Sequence, residues 1–287
     1  LKEVNISPTL PAPAQFEYRN HARFTVRFGG QMGFSNRITR RFVRIENCML
    51  MAPKINETLG GLQDKVSETT NLSVRVGVNT GDRLIQPTLS ALDIPFSSGQ
   101  KWYTERLKGR IFQVASPSFF QVNTPQSETL IDLVSQYLAL DKEQTLVDAY
   151  AGVGTFAAIL APSVKKVYAI EESASAVNDA SSALSDVKNI EFLLGKTEKV
   201  LGEINDVIDA LILDPPRVGC HPDSLKAVIE KQPLRVAYVS CDPSSLARDL
   251  DILVKGNYRV TNIQPVDMFP QTYHVECVAT LTLSCET

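Results

Sequence analysis

The chain has 287 residues, of which 44% are hydrophobic and 21% are charged, a composition that suits one large or two ordinary globular domains. No apolar run approaches the length of a membrane span and no signal peptide opens the sequence, so a membrane-spanning protein is not predicted. Because the chain begins at Leu1 and not at a methionine, we expect it to be a fragment of a longer protein.

The cysteines bear on cellular location and on metal binding. They form no CxxC pair and no close cluster, which argues against a disulfide framework or a self-contained zinc site. This usage fits a reducing, cytoplasmic environment. The five cysteines are Cys48, Cys220, Cys241, Cys277 and Cys285.

The net charge of −3 hides an asymmetry along the chain. Residues 1–115 carry a net charge of +7, and residues 116–287 carry −10. This division predicts a basic module that meets a polyanion and an acidic module that does not. The hydrophobic pattern of residues 1–115 indicates an α+β domain dominated by antiparallel strands.

The basic module has its strongest signal in a stretch that contains seven arginines and no acidic residue. Within residues 23–28, phenylalanine and valine alternate with arginine and threonine, which predicts a half-buried strand with arginines on its open face. A nucleic-acid surface is favoured over a merely solvated face, with Phe16, Tyr18 and Phe34 as stacking candidates. The arginines are Arg19, Arg23, Arg27, Arg37, Arg40, Arg41 and Arg44.

The acidic module reads as alternating strands and helices. Its strands are almost continuously apolar, which is typical of a parallel sheet covered on both faces. Two further segments, 258–266 and 275–283, look like a closing antiparallel pair. The predicted strands before that pair are 145–149, 166–170, 190–194, 207–213 and 234–239.

The first strand of this module leads into a glycine-rich turn, Gly152-x-Gly154-x-x-Ala157. Glu171 lies 19 residues after Gly152, at the tip of the second strand, where a carboxylate accepts hydrogen bonds from ribose hydroxyls. The pattern predicts an adenosine-type cofactor and does not separate NAD from S-adenosylmethionine.

Three motifs lie at the ends of later strands and indicate the type of reaction. Asp214-Pro215-Pro216-Arg217 forms a rigid turn, Cys241 ends a strand just before a helix, and His274-Val275-Glu276 begins the last strand. A thiolate is favoured beside a helix N-terminus. A thiolate that attacks C6 of uracil turns C5 into a nucleophile that can take a methyl group, and a carboxylate base must then remove the C5 proton.

These motifs together resemble the RNA 5-methyluridine (uracil-5) methyltransferases, a family that acts on tRNA and ribosomal RNA. The resemblance runs from Tyr18 to Leu283. It also rests on Phe119-Phe120-Gln121-Val122-Asn123 and on the segment Asp148 to Phe156. It implies an α/β fold, a Rossmann-like class I methyltransferase sheet over 116–287, with an N-terminal antiparallel α+β RNA-contacting domain over 1–115.

The resemblance also implies roles for individual residues, with S-adenosylmethionine as the cofactor. Cys241 is then the nucleophile and Glu276 the proton acceptor. Many family members carry an iron–sulfur cluster, and Cys48 matches the position of one of its cysteines, although the partner cysteines are absent. No metal, no membrane and no obligate protein partner are predicted, and the RNA is expected on the Arg19–Arg44 region. The cofactor-binding positions are Gln121, Tyr150, Gly152, Glu171 and Asp214.

Other readings stay open at this point. A second kind of S-adenosylmethionine enzyme would methylate a nitrogen and would not need Cys241. A protein that only binds RNA would use the arginine stretch without methyl transfer. An NAD dehydrogenase is disfavoured because nothing near Asp214 supplies an acid or base for hydride transfer. The sequence does not identify the RNA or the uridine.

Overall fold

The computed structural model describes residues 4–91 and 93–284, so Cys285 lies outside the described residues. Backbone contacts divide the chain into two compact units. One unit is Ala14–Pro125, and the other combines Leu1–Pro13 with Gln126–Thr287. We call the first the inserted unit, since it interrupts the second along the chain, and the second the catalytic unit, since it contains Cys241 and Glu276, the residues predicted to be catalytic.

The inserted unit is built on a five-stranded antiparallel sheet in the order β3-β2-β1-β4-β5, with a separate β6-β7 hairpin. Helix α1 packs on the sheet through Ile55, Leu59 and Leu62, which lie on one helical face and are fully buried. Its elements are β1 His21–Val26, β2 Met32–Ser35, β3 Phe42–Arg44, α1 Pro53–Leu62, β4 Asn71–Val76, β5 Arg83–Gln86, β6 Trp102–Leu107 and β7 Arg110–Ala115.

Strand β1 has the predicted alternation, with Phe24 and Val26 buried and Arg23 exposed. The alternation ends earlier than expected, because the chain leaves the strand after Val26 and turns through a short 3-10 helix, Phe28–Gly30. Gly29 has φ +74° there, a conformation that suits glycine. Phe28 was expected on the buried face and is instead completely exposed.

The expected stacking aromatics are also placed differently. Tyr18 is 4% exposed and belongs to the core. Phe34 stacks on Phe24 with ring centroids 5.5 Å apart, so its ring is used inside the protein. Phe16 remains at the surface with 42% exposure.

The catalytic unit is an α/β structure around a seven-stranded sheet in the order β10-β9-β8-β11-β12-β14-β13. Strands β8 to β12 run parallel to one another, and β14 lies antiparallel between β12 and β13. The strands are β8 Thr145–Ala149, β9 Lys166–Glu171, β10 Ile190–Leu194, β11 Ala210–Leu213, β12 Arg235–Ser240, β13 Tyr258–Val266 and β14 Glu276–Leu283.

Helices flank this sheet and confirm the predicted α/β fold. Strands β8 and β11 are buried along their whole length, which explains their unbroken apolar sequences. Two details differ from the sequence prediction: β11 begins at Ala210, leaving Val207 79% exposed, and α5 was not predicted. The helices are α2 Thr124–Leu138, α3 Thr155–Leu160, α4 Ala174–Ala183, α5 Thr197–Glu203, α6 Pro222–Lys231 and α7 Pro243–Lys255.

The segment that precedes the inserted unit, up to Pro13, is part of the catalytic unit. Its backbone runs beside β13, with hydrogen bonds from Ser7 N to Ile263 O and from Leu10 N to Pro265 O, both 2.9 Å. In return, Ile263 N and Asp267 N donate to carbonyls of this segment. The segment therefore covers the edge strand of the sheet.

Candidate active site

Cys241 and Glu276 are 35 residues apart in sequence and meet through the register of β12 with β14. In this antiparallel ladder the last pair is Ser240 with Cys277. Cys241 and Glu276 are the next residues along the two strands, so the register brings them to the same end of the sheet. The charge of Glu276 acts on the Cys241 thiol, which agrees with this placement.

Arg217 is the cation of this group. Its positive charge acts on both the Cys241 thiol and the Glu276 carboxyl. Burial first, and then the charge of Glu276, raise the pKa of the Cys241 thiol, while Arg217 lowers it. Glu276 is 3% exposed, and burial together with Asp214 holds its pKa well above the usual range. Sequence analysis named Arg217 only as part of a motif and assigned it no role.

Asp214 follows β11 directly, in the turn that also holds Arg217. Burial raises the pKa of its carboxyl to about 7. The residue as a whole keeps part of its surface accessible, so the carboxyl is sheltered within an otherwise open turn. A sheltered carboxyl beside Cys241 and Glu276 accepts hydrogen bonds or attracts positive charge more strongly than one in water.

The glycine-rich turn after β8 places backbone amides beside Glu171. Gly152 has φ +56°, and a Cβ added to it would meet nothing within 4 Å, so the turn has open space on that side. The Glu171 carboxylate accepts hydrogen bonds from Gly152 N at 2.9 Å and from Ser173 N at 2.8 Å. Glu171 is therefore held at the end of β9 with further lone pairs available for a ligand.

Asp148, on β8, is a residue that sequence analysis left without a role. It is 1% exposed. Its Oδ2 accepts a hydrogen bond from Ala157 N at 2.9 Å, but its Oδ1 is buried without a partner. Burial raises the pKa of this carboxyl to about 7, and the charges of Asp214 and Glu171 add to the effect. An orphaned carboxylate oxygen and an open glycine turn fit a cationic, adenosine-containing ligand.

Tyr150 and Gln121 complete the predicted set. The Tyr150 hydroxyl donates to Ser224 Oγ at 3.1 Å and contacts the buried Cys220 thiol. Gln121 belongs to the inserted unit, where its main-chain carbonyl accepts a hydrogen bond from Asn20 Nδ2 at 2.9 Å. The catalytic unit thus brings together Cys241, Glu276 and Asp214 at one place, and the role of Gln121 stays a prediction.

Two searches of the described residues bear on other functions. Within 4–91 and 93–284, no three His, Cys, Asp or Glu side chains lie together as a metal site requires. In the same part of the chain, no helix is both long enough and apolar enough to cross a membrane.

Comparison with known proteins gives a consistent picture. The profile of the family described as tRNA (Uracil-5-)-methyltransferase matches residues 103–284. An uncharacterised RNA methyltransferase of Gloeobacter violaceus is 32% identical over 98% of this chain and 74% of its own length. One from Oceanobacillus iheyensis is 43% identical over 64% of this chain and 41% of its own length.

A solved structure covers almost the same range. The Pyrococcus abyssi tRNA (uracil-54, C5)-methyltransferase, determined in complex with S-adenosyl-L-homocysteine, matches with a TM-score of 0.79 and 26% identity. The match covers 98% of this chain and 79% of that one. The Trm5b structure from the same organism, at 14% identity and a TM-score of 0.54, shares the fold.

Proposed function

This chain belongs to the tRNA (uracil-5-)-methyltransferase family, and we propose that it transfers a methyl group from S-adenosylmethionine to C5 of a uridine in tRNA or ribosomal RNA. The observation that carries the proposal is that Cys241 follows the last paired residue of β12, whose partner Cys277 is next to the buried Glu276, and that the charge of Glu276 acts on the Cys241 thiol. Methylation at a nitrogen has no use for such a pair, whereas methylation at C5 of uracil needs both members.

The proposed cycle begins and ends with Cys241 as a thiolate. The thiolate adds to C6 of the uracil ring, and the electron pair of the C5–C6 double bond moves onto C5 and O4. S-adenosylmethionine would supply the methyl group that C5 takes, its sulfur–methyl bond breaking to leave S-adenosylhomocysteine. Glu276, as carboxylate, then accepts the C5 proton, the C5–C6 double bond re-forms, and the Cys241 sulfur leaves as thiolate.

Arg217 supports the sulfur in this scheme. The positive charge of Arg217 near the sulfur favours the anionic form of the sulfur both before attack and after departure. The raised pKa of Glu276 suits the same scheme, because a carboxylate with a high pKa is a stronger acceptor for a carbon-bound proton.

The cofactor is proposed to lie along the carboxyl ends of β8, β9 and β11. Glu171 would accept hydrogen bonds from the ribose hydroxyls, and Gly152 would allow close approach of the backbone. The carboxyls of Asp214 and Asp148 would balance the positive charge of the ligand. Tyr150 and Gln121 are proposed as further contacts.

The RNA is proposed to bind the arginine stretch of the inserted unit. Within this stretch, Arg44 is paired with Asp64 at 2.6 Å and with Glu46 at 2.6 Å. The turn between β2 and β3 is ordered by Asn36, whose Oδ1 accepts from Ile38 N at 3.0 Å and Thr39 N at 2.9 Å. The exposed arginines of the stretch are Arg23, Arg27, Arg37, Arg40, Arg41 and Arg44.

The decisive experiment uses RNA that contains 5-fluorouridine. Incubated with the protein and S-adenosylmethionine, it should leave a covalent protein–RNA species with one added methyl group, because fluorine at C5 cannot leave as a proton. Peptide mapping should place the bond at Cys241. Cys241→Ala should abolish the adduct, and Cys48→Ala, which removes a half-buried thiol of the inserted unit, should not. Methylation that survives Cys241→Ala would instead support nitrogen methylation.

Glu276→Gln provides the second test. With ordinary uridine RNA, this variant should slow turnover by about 10²- to 10⁴-fold and accumulate the methylated Cys241 adduct, because the C5 proton has no acceptor. Intact mass spectrometry of the quenched reaction measures the adduct. Glu143→Gln, an exposed carboxylate beyond the opposite end of β8, is the control. Turnover of Glu276→Gln at the wild-type rate would show that another group removes the proton.

A further inference from the structure

Asp249, on α7, is a fully buried carboxylate at 0% exposure to which the proposed reaction assigns no role. Its Oδ2 accepts hydrogen bonds from the Tyr238 hydroxyl at 2.6 Å and from Cys220 N at 2.8 Å. Its Oδ1 receives Nε and Nη2 of Arg248 at 2.8 and 2.7 Å. The carboxylate thus joins three parts of the catalytic unit: α7, strand β12 and the loop that follows β11. We call this set of contacts around Asp249 the junction.

The loop side of this junction is tightly packed. Arg248 Nη2 also donates to Val218 O at 2.8 Å, so two successive residues of α7 hold the loop. Gly219 has φ +81°, and a Cβ there would lie 2.4 Å from Arg248 Nη2 and 2.5 Å from Asp249 Oδ2. Glycine is therefore required at 219 for the close approach of the loop to α7.

The same loop carries Arg217 to the Cys241 sulfur. Gly219 N donates to Pro216 O at 2.8 Å, which closes a tight turn around Arg217. The two prolines before Arg217 restrict the backbone on the other side. Anchoring at 218–220 therefore determines where the Arg217 guanidinium lies, even though Arg217 itself is exposed.

The strand side of the junction leads to the same place. Tyr238 lies on β12, three residues before Cys241. Its hydroxyl donates to Asp249, and the hydroxyls of both Tyr238 and Tyr150 influence the pKa of the buried Cys220 thiol. One buried carboxylate is therefore bonded both to the strand that holds Cys241 and to the loop that holds Arg217.

We propose that Asp249 is a positioning residue that, together with Arg248, fixes the Asp214–Cys220 loop so that Arg217 meets the Cys241 sulfur. The proposal rests on the proposed function only where it names the Cys241 sulfur as the reacting atom. The expected consequence of loosening the junction is a misplaced guanidinium and a thiol that ionises less readily.

The test perturbs the junction from both sides. Asp249→Asn puts an amide where Cys220 N, Tyr238 and Arg248 all need an acceptor, and Gly219→Ala pushes the loop away from α7 without changing charge. Both variants should lower kcat by about 100-fold while KM for S-adenosylmethionine changes little, since displacing a reacting group by about 1 Å costs that much. Asp209→Asn is the control, because Asp209 accepts from Thr145 N at the opposite end of β11.

A second readout does not depend on methylation. The pH profile of Cys241 alkylation by iodoacetamide, followed by peptide mass mapping, should shift to higher pH in Asp249→Asn and Gly219→Ala. In an Arg217→Ala background, Asp249→Asn should produce no further shift. If the proposed function were wrong, this alkylation result would still stand, so the two failures are distinguishable.

Three results would overturn the proposal. The first is an unchanged alkylation profile in a folded Asp249→Asn or Gly219→Ala protein. The second is a full additional shift when Asp249→Asn is combined with Arg217→Ala. The third result applies if both variants fail to fold. Tyr238→Phe removes a single hydroxyl from the junction. If this variant had a wild-type alkylation profile and a wild-type kcat, the positioning role of Asp249 would be rejected.

Discussion

Burial of the Asp148 carboxyl lowers the free energy of unfolding at neutral pH. Its carboxyl has a pKa of about 7 in the folded protein against an ordinary value of 3.8, with burial as the main cause. Between about pH 4 and pH 7 the folded state therefore binds more protons than the unfolded state, and the free energy of unfolding falls as the pH rises. Above about pH 7 the loss is complete and constant.

Asp148→Asn should remove this pH dependence while Asn Oδ1 keeps accepting the hydrogen bond from Ala157 N. Relative to wild type, the variant should gain about 2–3 kcal/mol of unfolding free energy between pH 5 and pH 8, since one pKa unit corresponds to about 1.4 kcal/mol. Urea denaturation at both pH values, without cofactor, measures the difference. Asp251→Asn, at an exposed pair with Lys255, is the control. An equal difference between Asp148→Asn and wild type at both pH values would contradict the assigned pKa.

At the scale of elements, we expect the arginines of the basic stretch to contribute unequally to RNA binding. Replacing Arg37, Arg40 and Arg41 together by glutamine should weaken RNA binding and reduce the slope of log K against log salt by about 2, because each phosphate contact contributes about 0.7–0.9. Filter binding across a salt series measures the slope.

Arg44→Gln is the matched control from the same stretch. Its charge is already compensated by Asp64 and Glu46, so both affinity and slope should stay near the wild-type values. If Arg44→Gln alone matched the triple variant, the RNA would contact the outer strand of the sheet and not the turn at 36–41.

Several elements could be read from the sequence because local signals agree with their environment. The predicted bounds of strand β8 match the observed ones, because all five of its residues are buried. The predicted bounds of α6 also match, because Pro222 marks the start of this helix. Strand β13 was likewise placed correctly. Helix α5 was missed, and its Lys196 N-cap position supplies no side-chain hydrogen bond that would mark its start.

The site was predictable as a set of residues but not as an arrangement. The motifs around Cys241 and Glu276 are local, whereas their meeting depends on β14 lying between β12 and β13, a pairing that periodicity does not reveal. The contact of Arg217 with Cys241 and the junction at Asp249 likewise depend on a loop held by a distant helix. Phe28 was misplaced because strand alternation does not show where a strand ends.

At the scale of the molecule, the catalytic unit uses backbone from both sides of the inserted unit. Leu10→Pro removes the hydrogen bond from Leu10 N to Pro265 O and should cost about 1 kcal/mol of unfolding free energy. It should also speed hydrogen exchange at Asp267 N, which donates to Leu10 O. Exchange measured by NMR should leave the amides of β1 and β4 unchanged. Uniform acceleration in both units would mean that they unfold together.

The position of β14 has a consequence for how the protein is made. A ribosome delivers Cys241 and β13 before it delivers Glu276, because β14 is the last strand in the described chain and must enter between two strands that already exist. Until β14 is inserted, a growing chain has the Cys241 sulfur but lacks the Glu276 carboxyl, which in the proposed mechanism is needed to release that sulfur from RNA. Under the proposed mechanism, a chain in this state would bond to a uridine without being able to release it, so turnover would require β14 to be in place.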